Sequence, residues 1–371
     1  MNPQLDLVDA TANQDRQFAT PFAIVNQAIA QKVFPGAALA VTHRGALLAL
    51  RPFGSFTYEA NSPRITRETP WDLASLTKPI ATASMAMLLY DRDKLSLDTK
   101  VIDLLPEFAD PLDPRRQAVT VRMLLAHSSG LPAHRKLYLQ ATGRDAITAA
   151  AMRVPLQSAP LQRAEYSDIG FILLGELLER IAGEPLDQFC AREVFAPLKL
   201  NLSFSPQPSL AKSVPPTVND VVYRHRIIQG EVNDENASAM GGVAAHAGLF
   251  GDTLSVARFV EFILACIPSC THSPLFLPET VHLFTTRDAT PGSSRALAWD
   301  TPSAPSQSGT MFSPHSFGHL GYTGTSLWCD PERRLSVTFL TNRTWPDAAN
   351  QAIKQLRPPL HDAIVRALEA E

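Results

Sequence analysis

Ser75-Leu76-Thr77-Lys78 sets a hydroxyl and an amine three residues apart. A hydroxyl activated by a neighbouring amine can attack a carbonyl carbon and become acylated. The pairing needs a helix, because residues three apart then share a face. Pro79 follows at once, and the apolar run Ile80 to Tyr90 comes after it. Proline lacks an N–H and is accommodated only in the first turn of a helix. The helix is therefore predicted to begin near Ser75, which puts the hydroxyl at the positive end of the helix dipole beside a free backbone N–H. Ser209-Leu-Ala-Lys212 has the same spacing, but Pro215-Pro216 stop a helix there and nothing holds Lys212 beside Ser209. Taken alone, Ser75 is better read as a plain helix cap.

Two further clusters change that balance. Tyr166-Ser167-Asp168 lies in a short loop before an apolar helix and is the only Tyr-x-Asn or Tyr-x-Asp triplet in the chain. A tyrosine beside a lysine ammonium gives up its proton more readily and can act as a general base. The plainer reading is that Tyr166 packs at the helix start while Asp168 caps it. His319-Leu320-Gly321-Tyr322-Thr323-Gly324-Thr325 is the third cluster. His43-Arg-Gly45 and His246-Ala-Gly248 share its His-x-Gly pattern. The first of these reads as a hairpin turn and the second sits in a glycine-rich loop. Only His319 opens a Gly/Thr-rich strand, where glycine would let a substrate lie against the backbone.

Several elements must position these groups. Thr20-Pro21 opens a helix with Phe22, Val25, Ala28, Ile29 and Val33 as its stripe. Gly36–Thr42 and Ala46–Leu50 form a hairpin around His43-Arg44-Gly45, with a further strand through Phe56 and Tyr58. From Ser75 to Phe284 the pattern is mostly helical: Thr120–His127, Ile169–Ile181 capped by Ser167 or Asp168 and ended by Gly183, Pro185–Phe195, a helix capped by Ser255 and reaching Ile267, and a short one at Pro278. Residues 202–219 are a proline-rich connection without periodicity. Strands return at Gly318–Trp328 and, with alternation, at Leu335–Thr341. A last helix from about Asp347 to Glu371 is interrupted near Pro358-Pro359.

The bulk composition narrows the function classes. Apolar residues make up 45% and charged residues 19% of 371, as in a globular protein with a sizeable core. A net charge of −3 gives no reason to expect nucleic acid or a membrane surface as partner. The scattered Cys190, Cys266, Cys270 and Cys329 make neither a disulfide framework nor a metal site. The N-terminus has no signal-peptide pattern, so a cytoplasmic protein is expected, unless a leader has been removed.

In that order, Ser75-x-x-Lys78, Tyr166-x-Asp168 and His319-x-Gly321 resemble the three active-site motifs of the class C β-lactamase superfamily of penicillin-recognising serine hydrolases. The phrases Trp71-Asp-Leu-Ala-Ser-Leu-Thr-Lys, Leu124-Leu-Ala-His-Ser-Ser-Gly-Leu-Pro132 and Gly321-Tyr-Thr-Gly-Thr-Ser-Leu-Trp328 extend the likeness over nearly the whole chain beyond residue 20. The resemblance implies an α/β (α+β) fold of the β-lactamase/transpeptidase type. An antiparallel sheet domain from residues 18–72 and 290–371 would carry the terminal helices, a mainly helical domain would span 73–289, and the site would lie in the cleft between. It implies Ser75 as nucleophile, Lys78 and Tyr166 as its proton-handling partners, N–H groups of Ser75 and Tyr322 as the oxyanion hole, and Asp168, His319 and Gly321 against the substrate. No metal or cofactor is called for.

Two departures bear on the substrate. Asp168 stands where true class C β-lactamases have asparagine, and His319-Leu320 replaces Lys-Thr. An added carboxylate repels the carboxylate of a β-lactam, and a histidine near its ordinary pKa of about 6.5 is largely neutral. A small-molecule ester or amide is therefore the expected substrate, with a β-lactamase or penicillin-binding D-Ala carboxypeptidase as the alternative, and a non-catalytic binding module of the same fold as a third. Asn233-Asp-Glu-Asn-Ala237 looks like a phrase of a branch that includes amidases on muramyl-peptide fragments. It reads equally as a capped surface loop.

Overall fold

The computed structural model describes residues 7–204, 208–267 and 275–370. Cys270 of the cysteine pair and Glu371 of the last helix lie outside them. Among the described residues eleven strands form three sheets: β1 (Val8–Asp9), β2 (Gly36–His43), β3 (Ala46–Gly54), β4 (Trp71–Asp72), β5 (Leu202–Phe204), β6 (Val218–Asp220), β7 (Arg226–Ile228), β8 (Leu249–Gly251), β9 (Phe317–Leu320), β10 (Ser326–Asp330) and β11 (Leu335–Thr341). The main sheet runs β1-β3-β2-β11-β10-β9 and is antiparallel except where β1 joins β3. Strand β2 pairs with β11 along its length, so the two ends of the chain close one sheet.

Alternate residues of the sheet serve two cores. Leu39, Val41, Val337 and Phe339 pack with Phe22 and Val25 of α1 (Ala19–Ala30) and with Leu360 and Ile364 of the last helix. Ala38, Leu327, Cys329 and Leu340 face a larger core shared with the helical part of the chain. Helix α4 (Thr253–Cys266) packs on β2 and β11 from that side. This covering explains why all seven residues of β11 are buried although their types alternate. Of its small polar positions Ser336 is paired through the Thr42 hydroxyl, which Ser336 and Glu261 both bond, at 2.6 and 2.5 Å.

The nucleophile segment follows β4. It turns helical at Ala74, within one residue of the expected start, but its winding changes along the way. Ala74–Leu76 is a 3-10 turn, Lys78–Thr82 a π-turn, and only α2 (Ala83–Asp91) is regular. Pro79 falls at the beginning of the π-turn, where its missing N–H costs little. Helix α3 (Asp168–Ala182) is almost wholly apolar and buried along Ile169–Gly175. Ser167 is its cap, accepting from the Gly170 N–H at 3.0 Å, and Gly183 closes it in the left-handed conformation.

Four expectations need correction. Phe56 and Tyr58 form no strand. Phe56 N bonds Pro63 O and Ser62 N bonds Glu59 O, so the segment curls on itself after a single Ser55–Arg64 bridge. Residues 202–219 contain β5 and the start of β6, each strand of three residues and too short to show a period. Asp252, not Ser255, caps α4, accepting from Ser255 N at 2.7 Å. The last helix, α5 (Ile353–Glu369), runs unbroken through Pro358 and Pro359. The Lys354 carbonyl, which Pro358 cannot bond, takes the Gln307 side-chain amide at 3.1 Å. No helix among the described residues is long and apolar enough to cross a membrane.

Ser167 ties α3 to the preceding loop, because its hydroxyl also donates to Pro132 O at 2.7 Å. Ser167→Ala removes a cap and leaves two buried backbone groups unpaired. It should lower stability by about 1–3 kcal/mol, read in urea as a lower midpoint at unchanged slope.

Candidate active site

Ser75 stands on a strained turn. Ala74 before it adopts φ +49°, a left-handed conformation unfavourable for alanine. Neighbouring bonds hold it there. The Asp72 carboxylate accepts from Ala74 N at 2.8 Å, Leu73 N bonds Leu249 O at 3.0 Å, and the Thr77 hydroxyl bonds Ala74 O at 2.6 Å and receives Leu249 N at 3.1 Å. Ser75 itself is half-buried, in the first turn of its helix, where backbone N–H groups lack partners within the helix.

Lys78 is fully buried and spends its ammonium on three acceptors: Ser75 Oγ at 3.0 Å, Asp168 Oδ1 at 2.7 Å and the backbone oxygen of His246 at 2.9 Å. Burial alone would push its pKa down. The Asp168 carboxylate and the Tyr166 phenol outweigh burial and hold it above its ordinary value. Lys78 is thus a fixed cation at neutral pH, not a base. Asp168 is the first residue of α3, held by its own N–H to Ala133 O at 2.8 Å.

Tyr166 lies between two cations. The Lys78 ammonium is 4.8 Å from its ring centre and the Arg295 guanidinium 5.0 Å. Its buried hydroxyl meets hydrogen-bond geometry with no group, although Lys78 and Ser75 lie near enough to favour its ionised form. Burial is the larger effect, and with the Asp168 charge it raises the tyrosine pKa above its ordinary value. The expected easy loss of the Tyr166 proton is therefore not what the resting site shows, because burial, helped by the Asp168 charge, outweighs the pull of Lys78.

Two histidines flank that ring. His319, on edge strand β9, has its ring 5.9 Å from that of Tyr166 and donates from Nδ1 to Leu320 O at 2.9 Å. His127 stacks on Tyr166 at 4.6 Å and on Phe171 at 4.9 Å, and accepts the Ser167 N–H at Nδ1, 2.9 Å away. Burial holds both imidazoles well below the usual histidine pKa, and nearby cations deepen the effect. Both are neutral, as expected for His319.

Gly321 and Tyr322 begin the β9–β10 turn. Gly321 N bonds Thr325 O at 2.7 Å, the Thr323 hydroxyl reaches Asp72 O at 2.9 Å, and the Thr325 hydroxyl reaches Leu73 O at 3.0 Å. A Cβ on Gly321 would collide with the Thr325 side chain. The glycine is needed for this close approach of the chain to itself, a different reason from the open strand face expected. The Tyr322 side chain is 57% exposed and its backbone oxygen is held by Arg343 Nε at 2.9 Å. Arg357 of α5 fastens the turn from behind, donating to Gly324 O at 2.7 Å and Thr325 O at 3.1 Å.

Asn233–Ala237 borders the same region rather than a remote surface. Asn233 N donates to Asp72 Oδ2 at 2.6 Å. Asp234 caps the short helix Glu235–Ala239 and pairs with His246 Nε2 at 2.9 Å. Burial would raise its pKa, but His246 and the Ala237 N–H hold it well below the usual carboxylate range. His134, Asp168 and Asp234 bring one ligand atom each within 4.8 Å of one another. Lys78 and His246 already bond an oxygen of each carboxylate, and a dication there would stand against the Lys78 ammonium. We read the three as part of the charge network around Lys78.

The structure thus brings Ser75, Lys78, Tyr166, Asp168 and His319 together, with Gly321 and Tyr322 at the rim. Asp72, His127, Asp234, His246 and Arg295 join them without having been singled out as site residues. Asp72 and His127 stood inside quoted phrases, and Asp234 in the singled-out loop. Arg295 had no local signal at all.

Comparison with known proteins gives the family. A Beta-lactamase family model matches residues 22–357. The N-acetylmuramyl-L-alanine amidase of Bacillus subtilis (strain 168) is 32% identical over 344 residues, 84% of this chain and 77% of the relative. A protein of Escherichia coli (strain K12) named "Putative D-alanyl-D-alanine carboxypeptidase" is 32% identical over 332 residues, 82% and 76% of the two chains. The solved structure of EstCE1, a hydrolase with promiscuous acyltransferase activity, superposes with a TM-score of 0.76 at 22% identity, over 95% of this chain and all of that one, and so shares the fold. The protein belongs to the β-lactamase family of serine hydrolases.

Proposed function

We propose that the protein cleaves an amide bond in a small substrate of the muramyl-peptide type, through an acyl-enzyme on Ser75. The observation that carries the acyl-enzyme reading is the contact of Ser75 Oγ with the buried Lys78 ammonium at 3.0 Å. Lys78 occupies one lone pair of the serine oxygen and leaves its proton free to move toward Tyr166. Tyr166 works as a phenolate, stabilised by Lys78. It takes the Ser75 proton as Oγ bonds to the carbonyl carbon. The N–H groups of Ser75 and Tyr322 stabilise the developing oxyanion. Tyr166 then gives the proton to the leaving nitrogen as the C–N bond breaks. Water repeats the sequence in reverse, giving a proton through Tyr166 to Ser75 and releasing the acid.

Two features favour an uncharged acyl group over a β-lactam or a peptide C-terminus. The site carries the Asp168 carboxylate, a charge that repels a substrate carboxylate, and His319 is neutral and offers it no cation. The amide preference is supported by the name of the Bacillus subtilis relative and by the Asn233–Ala237 loop at the site.

A fluorophosphonate probe should label the protein and leave Ser75→Ala unlabelled. Labelling that persists in Ser75→Ala would overturn the assignment. Tyr166→Phe should slow acylation by about 10²–10⁴-fold. Among p-nitrophenyl esters, a cephalosporin and a muramyl-peptide, the muramyl-peptide should be turned over fastest. Fastest turnover of the cephalosporin would contradict the argument from Asp168 and His319.

The raised Tyr166 pKa fixes the pH dependence. The phenolate is a minor species at neutral pH, so acylation should rise about tenfold per pH unit from 7 to 9. A flat profile across that range would rule out Tyr166 as the base. Removing Lys78 should also destabilise the fold. Lys78→Met strands the Asp168 carboxylate and should cost about 3 kcal/mol, much of it restored in Lys78→Met/Asp168→Leu. Chemical denaturation of the two variants measures this coupling.

A further inference from the structure

Asp72 is buried, three residues before the nucleophile, and touches no group that reacts. Its bonds nevertheless reach the Ser75 turn, the Asn233 segment and the turn that carries Tyr322. Oδ1 accepts from Ala74 N at 2.8 Å, on the strained residue that presents Ser75. Oδ2 accepts from Asn233 N at 2.6 Å, fixing the segment whose next residue, Asp234, pairs with His246. His246 is in turn the residue whose backbone oxygen holds Lys78. The Asp72 backbone oxygen accepts from the Thr323 hydroxyl at 2.9 Å, in the turn that carries Tyr322. The backbone of Asp72 pairs with Phe250 in the β4–β8 ladder.

We propose that Asp72 is a positioning residue for acyl transfer, an ionised clamp that sets Ser75, the Lys78 acceptor and the Tyr322 turn in register. It rests on the acyl-enzyme reading above and deepens it. The clamp needs the carboxylate form, because both oxygens accept backbone N–H groups and a proton on either would face a donor. Burial disfavours that form and raises the Asp72 pKa to about 6, with Asp234 adding to the effect and the two N–H groups and Arg224 opposing it. Arg224 is itself paired with Asp220 at 2.8 Å, and Asp234 with His246. A raised folded-state value means that ionised Asp72 reduces stability above pH 6. A group retained in a destabilising form is better explained by what it positions than by what it stabilises.

The test compares fluorophosphonate labelling rates of the full chain with those of Asp72→Asn. The asparagine keeps the size and one acceptor but sets an amide against the Asn233 N–H. At pH 8 the labelling rate constant at saturating probe should fall at least tenfold, with half-saturation unchanged within twofold. The melting temperature should stay close to that of the parent, because the loss of a buried charge offsets the unpaired Asn233 N–H. The parent's log rate should steepen below about pH 6, and that steepening should vanish in Asp72→Asn. A parent-like rate in Asp72→Asn, or an acid limb that survives there, overturns the proposal. Thr323→Val tests the clamp without touching the carboxylate: it keeps side-chain volume and removes the hydroxyl bonded to Asp72 O. It should slow labelling several-fold, and a parent-like rate counts against the clamp. Absence of labelling in the parent itself would instead defeat the acyl-enzyme reading.

Discussion

The site depends on one buried ammonium. Lys78 is held where water cannot reach it, and a buried charge is tolerable only when paired and fully hydrogen-bonded. One of its three acceptors is the serine one turn back; the other two, the first residue of α3 and the loop before β8, come from distant parts of the chain. Each segment must therefore be in place before the ammonium is satisfied. The requirement of a single cation fixes the relative positions of the nucleophile helix, α3 and the glycine-rich loop more tightly than apolar packing, which is indifferent to direction.

Electrostatic balance around that cation accounts for much else. Asp168 supplies a compensating charge and so opposes the pull that Lys78 exerts on Tyr166, while burial raises the tyrosine pKa most. Asp234 does not add freely to the negative charge, because His246 and a helix N-terminus engage it. The two imidazoles against Tyr166 stay uncharged beside Lys78 and Arg295. Burial and repulsion act in the same direction on each histidine, so neutrality at these positions is robust to modest changes of pH.

The elements most legible in the sequence were those whose boundaries rest on local chemistry. Pro79 marks the start of the Ser75 helix, Ser167 and Gly183 bracket α3, and Gly45 marks the β2–β3 hairpin. The three motifs were legible because residue type and spacing are properties of the string. Elements decided by tertiary contacts were not. Strands β5 and β8 are three residues each and exist through pairing across long separations, with each other and with β4. The π-turn at Lys78 and the intact α5 around two prolines depend on partners elsewhere. Arg295 reaches the Tyr166 ring from a loop about 130 residues further on, a distance in sequence that spacing cannot reveal. Asp72 was in view as one letter of a phrase, but its role lies in who donates to it.

Arg357 gives the architecture a temporal meaning. Its guanidinium, buried and pushed down to about 9, grips the carbonyls of the turn that bears Tyr322, and it sits on α5, near the far end of the chain. Strand β11, paired along β2, is also made late. A ribosome therefore releases Ser75, Lys78 and Tyr166 long before the pieces that complete the cleft around them. A nascent chain that has emerged only as far as α3 lacks both the turn that bears Tyr322 and the arginine that grips it.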